Sequence, residues 1–287
     1  MNKIVLGSAN FGMDYGYLNA GKQLSSSTVR QLLDFAWLNG IDTIDTASVY
    51  GNSESVIGSY LFENTDKDFN IISKVNVASS DINKILLQSI QNLNKSKIYA
   101  MLVHNFAGFL DNKSIFNDLL AFKESGKCKK IGFSFYYPEE LAYIFDNEIP
   151  IDIVQVPYSI CDRRFESFFP LLHEKNIEIH IRSVFLQGLY FKNPNQLNSH
   201  FDSIKSKLQI IQDLSINSGI SISSIALNFV NSNNYVDKIV LGVENLDNLQ
   251  HNLTSLDQKE EFTPFLSSLS DLQINDIDIL FPHHWKL

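Results

Sequence analysis

The sequence predicts an α/β chain folded as a single-domain (β/α)8 TIM barrel. Three observations carry that expectation. Strand-like apolar runs recur about every 25 to 35 residues, each followed by an amphipathic segment, the alternation of parallel strands with helical crossovers. The Gly-x-Gly-x-x-Gly fingerprint of the doubly wound dinucleotide fold is absent from all 287 residues. Polar side chains, Asp45, Lys74, His104, Ser134, Gln155 and Arg182, end six different apolar strands. A barrel gathers such strand ends at one mouth.

The expected strands are Lys3–Leu6, Thr43–Asp45, Asn70–Lys74, Tyr99–Val103, Lys130–Ser134, Ile151–Val156, Glu178–Arg182 and Lys238–Leu241. Near-continuous apolar runs such as Ile151-Asp152-Ile153-Val154 suit parallel strands covered on both faces. Between them, Ser26-Ser27-Thr28 precedes a stripe of Val29, Leu32, Leu33, Ala36 and Trp37, and Gly40 closes that helix. Asn52-Ser53-Glu54 opens a second helix and Asp81 a third, while Pro138 takes a first-turn position in another. The Asn-rich stretch from Leu189 to Ser199 reads as a loop over the mouth. Residues from about 255 to 287, ending in Phe281-Pro282-His283-His284-Trp285, form a short tail to the single domain 1–287.

A hydrophobic fraction of 44% supports a sizeable core, and 12% aromatic residues argue against disorder. A net charge of −9 repels nucleic acid, although one pocket can still be locally positive for a phosphate-bearing cofactor. Cys128 and Cys161 make neither a disulfide framework nor a zinc spacing, so no metal is expected. No run approaches the roughly 18 apolar residues of a membrane span, and the N-terminal residues lack a secretory pattern. A cytoplasmic location with no membrane partner is the expectation.

Ile44-Asp45-Thr46-Ala47-Ser48-Val49-Tyr50-Gly51-Asn52-Ser53-Glu54 is the most informative stretch. Alone, Asp45 would read as a loop cap and Tyr50 as packing. Lys74 and His104 change that reading, because each ends an apolar strand where a lone charge is costly to bury.

The Asp-Thr-Ala-x-x-Tyr-Gly segment, with the strand-end Lys and His, resembles the catalytic tetrad of the aldo-keto reductases. The similarity runs from Leu6-Gly7 to about Asn252. It implies an NAD(P)H-dependent oxidoreductase acting on an aldehyde, ketone or sugar carbonyl. Tyr50 would be the general acid and base, Lys74 would lower its pKa, Asp45 would hold Lys74 charged, and His104 would orient the carbonyl oxygen.

The resemblance also implies cofactor residues. Ser134 matches the serine that holds the nicotinamide carboxamide; Phe135 replaces the family's frequent Asn, so that one bond is absent or comes from Gln155. Arg182 stands where many members stack an aromatic ring, and is expected either to stack its guanidinium or to pair with a carboxylate. Ser183, Phe185, Gln187 and Gly188 follow it, towards the pyrophosphate. Gly242, Val243, Glu244, Asn248 and Asn252 match the adenine end. The family pattern favours NADP(H), yet this stretch carries Glu244 and Asp247 and no Lys or Arg, which suits NAD(H). Lys192 or Lys238 would have to reach in from outside.

Phe11, Tyr15, Asn105, Tyr136 and Tyr158, with Tyr17 and Phe106, are expected around a small carbonyl substrate, in a site left open by the short tail. Two other readings stay in play. One is a non-catalytic nicotinamide-binding regulatory barrel. The other is a lyase using Lys74 as a Schiff-base amine, which pairing with Asp45 disfavours.

Overall fold

Parallel strands close in chain order into one barrel: β1 (Ile4–Gly7), β2 (Thr43–Asp45), β3 (Asn70–Val75), β4 (Ile98–Val103), β5 (Cys128–Ser134), β6 (Ile153–Pro157), β7 (Glu178–Arg182) and β8 (Lys238–Gly242). The structure is a computed structural model and describes residues 2–16, 21–76 and 82–286. β8 closes on β1 with Ile4 opposite Ile239 and Gly7 opposite Gly242. All the expected strands are present, with ends moved by one or two residues. Asp152, expected within β6, precedes it instead. Its backbone still bonds to Ile131 and Glu178 on the neighbouring strands, while its carboxylate accepts the Ile131 N–H at 2.9 Å and pairs with Lys123, tying strand to helix.

Side chains alternate between the inside and outside of a barrel strand. Ile72, Ala100, Leu102 and Ile153 form a small inner cluster, separate from the large core between strands and helices. Two residues further along the same strands come Lys74, His104 and Gln155. The period of two that buries the inner cluster therefore delivers these polar groups to the C-terminal mouth.

The surrounding helices follow their local signals. Helix Ser26–Leu38 starts where the Ser25 hydroxyl accepts the Thr28 N–H, and it buries Val29, Leu32, Leu33 and Ala36. Helix Pro138–Asp146 opens on its proline, and the Glu140 carboxylate accepts the N–H groups of Tyr136 and Tyr137 at 2.7 and 3.1 Å. Helix Ile82–Asn92 is present; its expected first residue, Asp81, lies outside the described residues.

The C-terminal segment corrects one expectation. Short turns from Lys259 to His284 carry the chain back over the C-terminal face. Phe281 lies 4.9 Å from the Tyr137 ring, with the Arg164 guanidinium 4.4 Å above its face. Trp285 packs on Phe201 and donates its indole N–H to the Ile279 carbonyl at 2.8 Å. The tail is anchored there by aromatic burial and does not leave the mouth open. Among the described residues, no helix is long and apolar enough to cross a membrane.

Candidate active site

The loop after β2 is held from both sides. The Thr46 N–H donates to the Ile72 carbonyl at 2.8 Å and the Ser48 N–H to the Lys74 carbonyl at 2.9 Å. A one-turn helix, Ala9–Gly12, presses on its far side. Gly51 has φ +57°, and a Cβ there would lie 2.1 Å from the Gly12 carbonyl oxygen. Only glycine accepts both conditions. We expect Gly51→Ala to lower the melting temperature and to cut turnover at least tenfold, since the shifted backbone is that of Tyr50; unchanged values for both, by calorimetry and initial rates, would refute this packing account.

Beneath the loop sits a closed ion pair. Lys74 Nζ lies 2.6 Å from Asp45 Oδ1 and donates to the Thr46 carbonyl at 2.9 Å, with the side chains 1% and 5% exposed. Gln155 Nε2 donates to the other carboxylate oxygen of Asp45 at 2.7 Å. Lys74 does not line the cleft; its ammonium is enclosed by the Asp45 carboxylate and the Thr46 carbonyl. Burial pulls its pKa down and the Asp45 charge pushes it up, with burial the larger effect.

Tyr50 and His104 meet edge to face with ring centroids 5.7 Å apart. The Lys74 ammonium sits over the Tyr50 ring, 5.0 Å from its centroid. Desolvation, and next the Asp45 charge, raise the Tyr50 pKa well above that of an ordinary phenol, and only Arg182 pulls the other way. His104 is driven down to about 3 by burial first and then by the Lys74 and Arg182 charges. At neutral pH the pair is a phenol beside a neutral imidazole.

These groups open into a cleft of about 690 Å³, within the range of cofactor and substrate sites. Its lining brings together Asp45, Tyr50 and His104 with Ser134, Gln155, Arg182, Ser183, Phe185, Gln187, Gly188, Gly242, Val243, Glu244, Asn248 and Asn252. Arg182 makes no ion pair with a carboxylate among the described residues. It donates to the Phe135 carbonyl at 3.0 Å and stacks over Tyr136 at 4.3 Å. Phe135 itself turns away, stacked on Phe133 in the outer core. The backbone after β7 is unusual: Ser183, Leu186, Gln187 and Gly188 have φ of 65°, 46°, 54° and 86°. The turn is closed by its own backbone, the Leu186 N–H donating to the Ser183 carbonyl and the Gly188 N–H to the Phe185 carbonyl, each at 2.9 Å. Among the described residues, no group of His, Cys, Asp and Glu is placed to hold a metal.

Of the residues expected around the substrate, Tyr15 and Tyr136 line the cleft and four do not. Phe11 is fully buried in the core. Asn105 caps the short helix Phe106–Asp111, accepting from the Gly108 N–H. Tyr158 is buried on Phe169 and Phe229, its hydroxyl donating to Glu166 Oε1 at 2.5 Å. Phe106 joins the buried aromatic cluster around Phe133, and Tyr17 lies outside the described residues. Sequence reasoning missed Ser8 and Asn10 after β1, together with Phe191, His251, Pro282 and His283, which also line the cleft. Position just beyond a strand end was a usable signal for Ser8 and Asn10. Nothing local marked Pro282 and His283, which the tail delivers.

Fold and cleft together define a TIM-barrel protein with its site at the C-terminal face. The model of the Aldo/keto reductase family matches residues 3–264, and the chain belongs to that family of oxidoreductases, which act on small carbonyl substrates. Among solved structures, the holo form of aldo-keto reductase AKR11C1 from Bacillus halodurans is similar at 18% identity, TM-score 0.75, covering 96% of this chain and 94% of that one. The thermostable aldo-keto reductase Tm1743, in complex with the inhibitor epalrestat, is similar at 21% identity, TM-score 0.71, covering 95% of each chain. At these identities the likeness concerns the fold. No curated protein sequence is close enough to the chain to match it.

Proposed function

We propose that this protein is an NAD(P)H-dependent carbonyl reductase in which Tyr50 donates the proton. The observation that carries the reading is Tyr50 set edge to face against His104 at the cleft, beside the closed Asp45–Lys74 pair. A bound nicotinamide supplies the hydride to the carbonyl carbon, or receives it in the reverse direction. Tyr50 gives its hydroxyl proton to the carbonyl oxygen, and the alcohol leaves with both. His104, being neutral, keeps an N–H to donate to that oxygen and so aims it at Tyr50. Asp45, held by Lys74 and Gln155, keeps the ammonium fixed under the Tyr50 ring.

The residues present fit the cofactor. The turn after β7, with left-handed Ser183, Leu186, Gln187 and Gly188, brings Ser183, Gln187 and Gly188 to the cleft wall, where a pyrophosphate would lie. Ser134 and Gln155 offer neutral partners for a carboxamide, and Asn248 and Asn252 for an adenine. Arg182, stacked on Tyr136 and short of a carboxylate partner, supports a guanidinium lying against the nicotinamide ring.

The test is a steady-state assay of nicotinamide-dependent reduction across a panel of aldehydes, ketones and sugars. A raised Tyr50 and a depressed His104 have a defined signature. The acid form of Tyr50 persists through and above the ordinary phenol range, and His104 has no proton to lose near neutrality. Reductive kcat should therefore stay level between about pH 6 and 9. A step near pH 6.5 would mean that His104 titrates in turnover, contrary to this electrostatic account. Binding of the nucleotide with no turnover on any carbonyl would favour the regulatory barrel instead.

A further inference from the structure

We infer that the nucleotide end of the cleft selects NADH over NADPH, through the carboxylate of Glu244. The inference rests on the nicotinamide reading above. That reading fixes the reacting half of the dinucleotide beside Tyr50 and His104, so the adenosine half must lie at the far end of the lining. That end is built by the β8 exit and helix Leu246–Leu256, where Glu244, Asn248, His251 and Asn252 line the cleft.

Its charge is wrong for a 2′-phosphate. Arg182 is the sole Lys or Arg among the described residues of the lining, and it sits at the reacting end, bonded to the Phe135 carbonyl. Lys238 projects at the opposite mouth of the barrel, bonded to the Asn2 carbonyl and Asp42 Oδ1 at 3.1 and 3.2 Å. Lys192 is not part of the lining. The helix start offers little compensation. The side chain of Asn245 already accepts the Asn248 N–H at 2.8 Å, and Asp247 lies in the first turn. A dianionic phosphate there meets Glu244 with no Lys or Arg in the described lining of that end, whereas a ribose 2′-hydroxyl donates a hydrogen bond to a carboxylate.

The experiment is a pair of binding titrations with NADH and NADPH, read by nicotinamide fluorescence without substrate. The native protein should bind NADH at least tenfold more tightly. Glu244→Gln should narrow that ratio, and Glu244→Arg should bring NADPH level or ahead. Glu244 is exposed, so both variants should fold, which circular dichroism checks. Equal affinities, or tighter NADPH, in the native protein would overturn the inference and leave the reductase reading intact. A preference for NADH that survives Glu244→Arg unchanged would also overturn it. Failure to bind either nucleotide would overturn the reading beneath it.

Discussion

Tyr50→Phe should leave nucleotide affinity unchanged while kcat falls by about 10²–10⁴-fold, the ordinary worth of a positioned general acid. The substitution removes one hydroxyl and keeps the ring. The ring matters separately, because it stacks edge-on against His104 and faces the Lys74 charge. The binding titration and the turnover assay thus report different atoms. Turnover within threefold of the native value would remove Tyr50 from the chemistry, and the proton donor would have to be sought elsewhere, starting with His104. Loss of nucleotide binding together with turnover would instead mean that the hydroxyl helps to hold the nucleotide, a binding role rather than a proton-transfer one.

The second large effect is on stability. Lys74→Met fills much of the same volume but strips the Asp45 carboxylate of its counter-charge in a site with 5% exposure. Breaking a buried pair from one side costs about 3–5 kcal/mol, far more than an intact pair contributes. The melting temperature should fall by on the order of 10 °C. The double variant Asp45→Leu with Lys74→Met removes both charges, and it should regain part of that loss, although Gln155 then loses its partner. A double variant no more stable than Lys74→Met alone would show that the cost is packing, not charge. Both proteins should reduce carbonyls poorly, since the group fixed beneath Tyr50 is gone.

Much of the site was readable along the chain because barrel chemistry follows strand order. An apolar run that ends in Asp, Lys, His, Ser, Gln or Arg places that side chain at the mouth whenever its parity matches the inner cluster. Asp45, His104, Ser134, Gln155 and Arg182 all reach the cleft in this way. Lys74 has the same parity and remains closed behind Asp45, because an ammonium bonded to a buried carboxylate and a carbonyl gains nothing by turning to solvent. Aromatic residues were read less well. Proximity to a loop does not say which way a ring points, and Phe11, Phe106 and Tyr158 found more apolar area to cover in the core than at the mouth.

What the sequence determined by itself was the alternation of strands and helices and the set of polar strand ends. Both depend on periods of two and 3.6 residues that any local window contains. Three matters were decided only in the tertiary structure. The surroundings of Tyr50, edge-on to His104 with the Lys74 ammonium 5.0 Å from its ring centroid, come from three different strands and their loops. The partner of Arg182 turned out to be the Phe135 carbonyl and the Tyr136 face rather than a carboxylate. The wall formed by Pro282 and His283 comes from residues far along the chain from Tyr136, and folding alone brings them together. Each of the three is a through-space property, set by burial and by contacts between distant segments, and no local pattern encodes it.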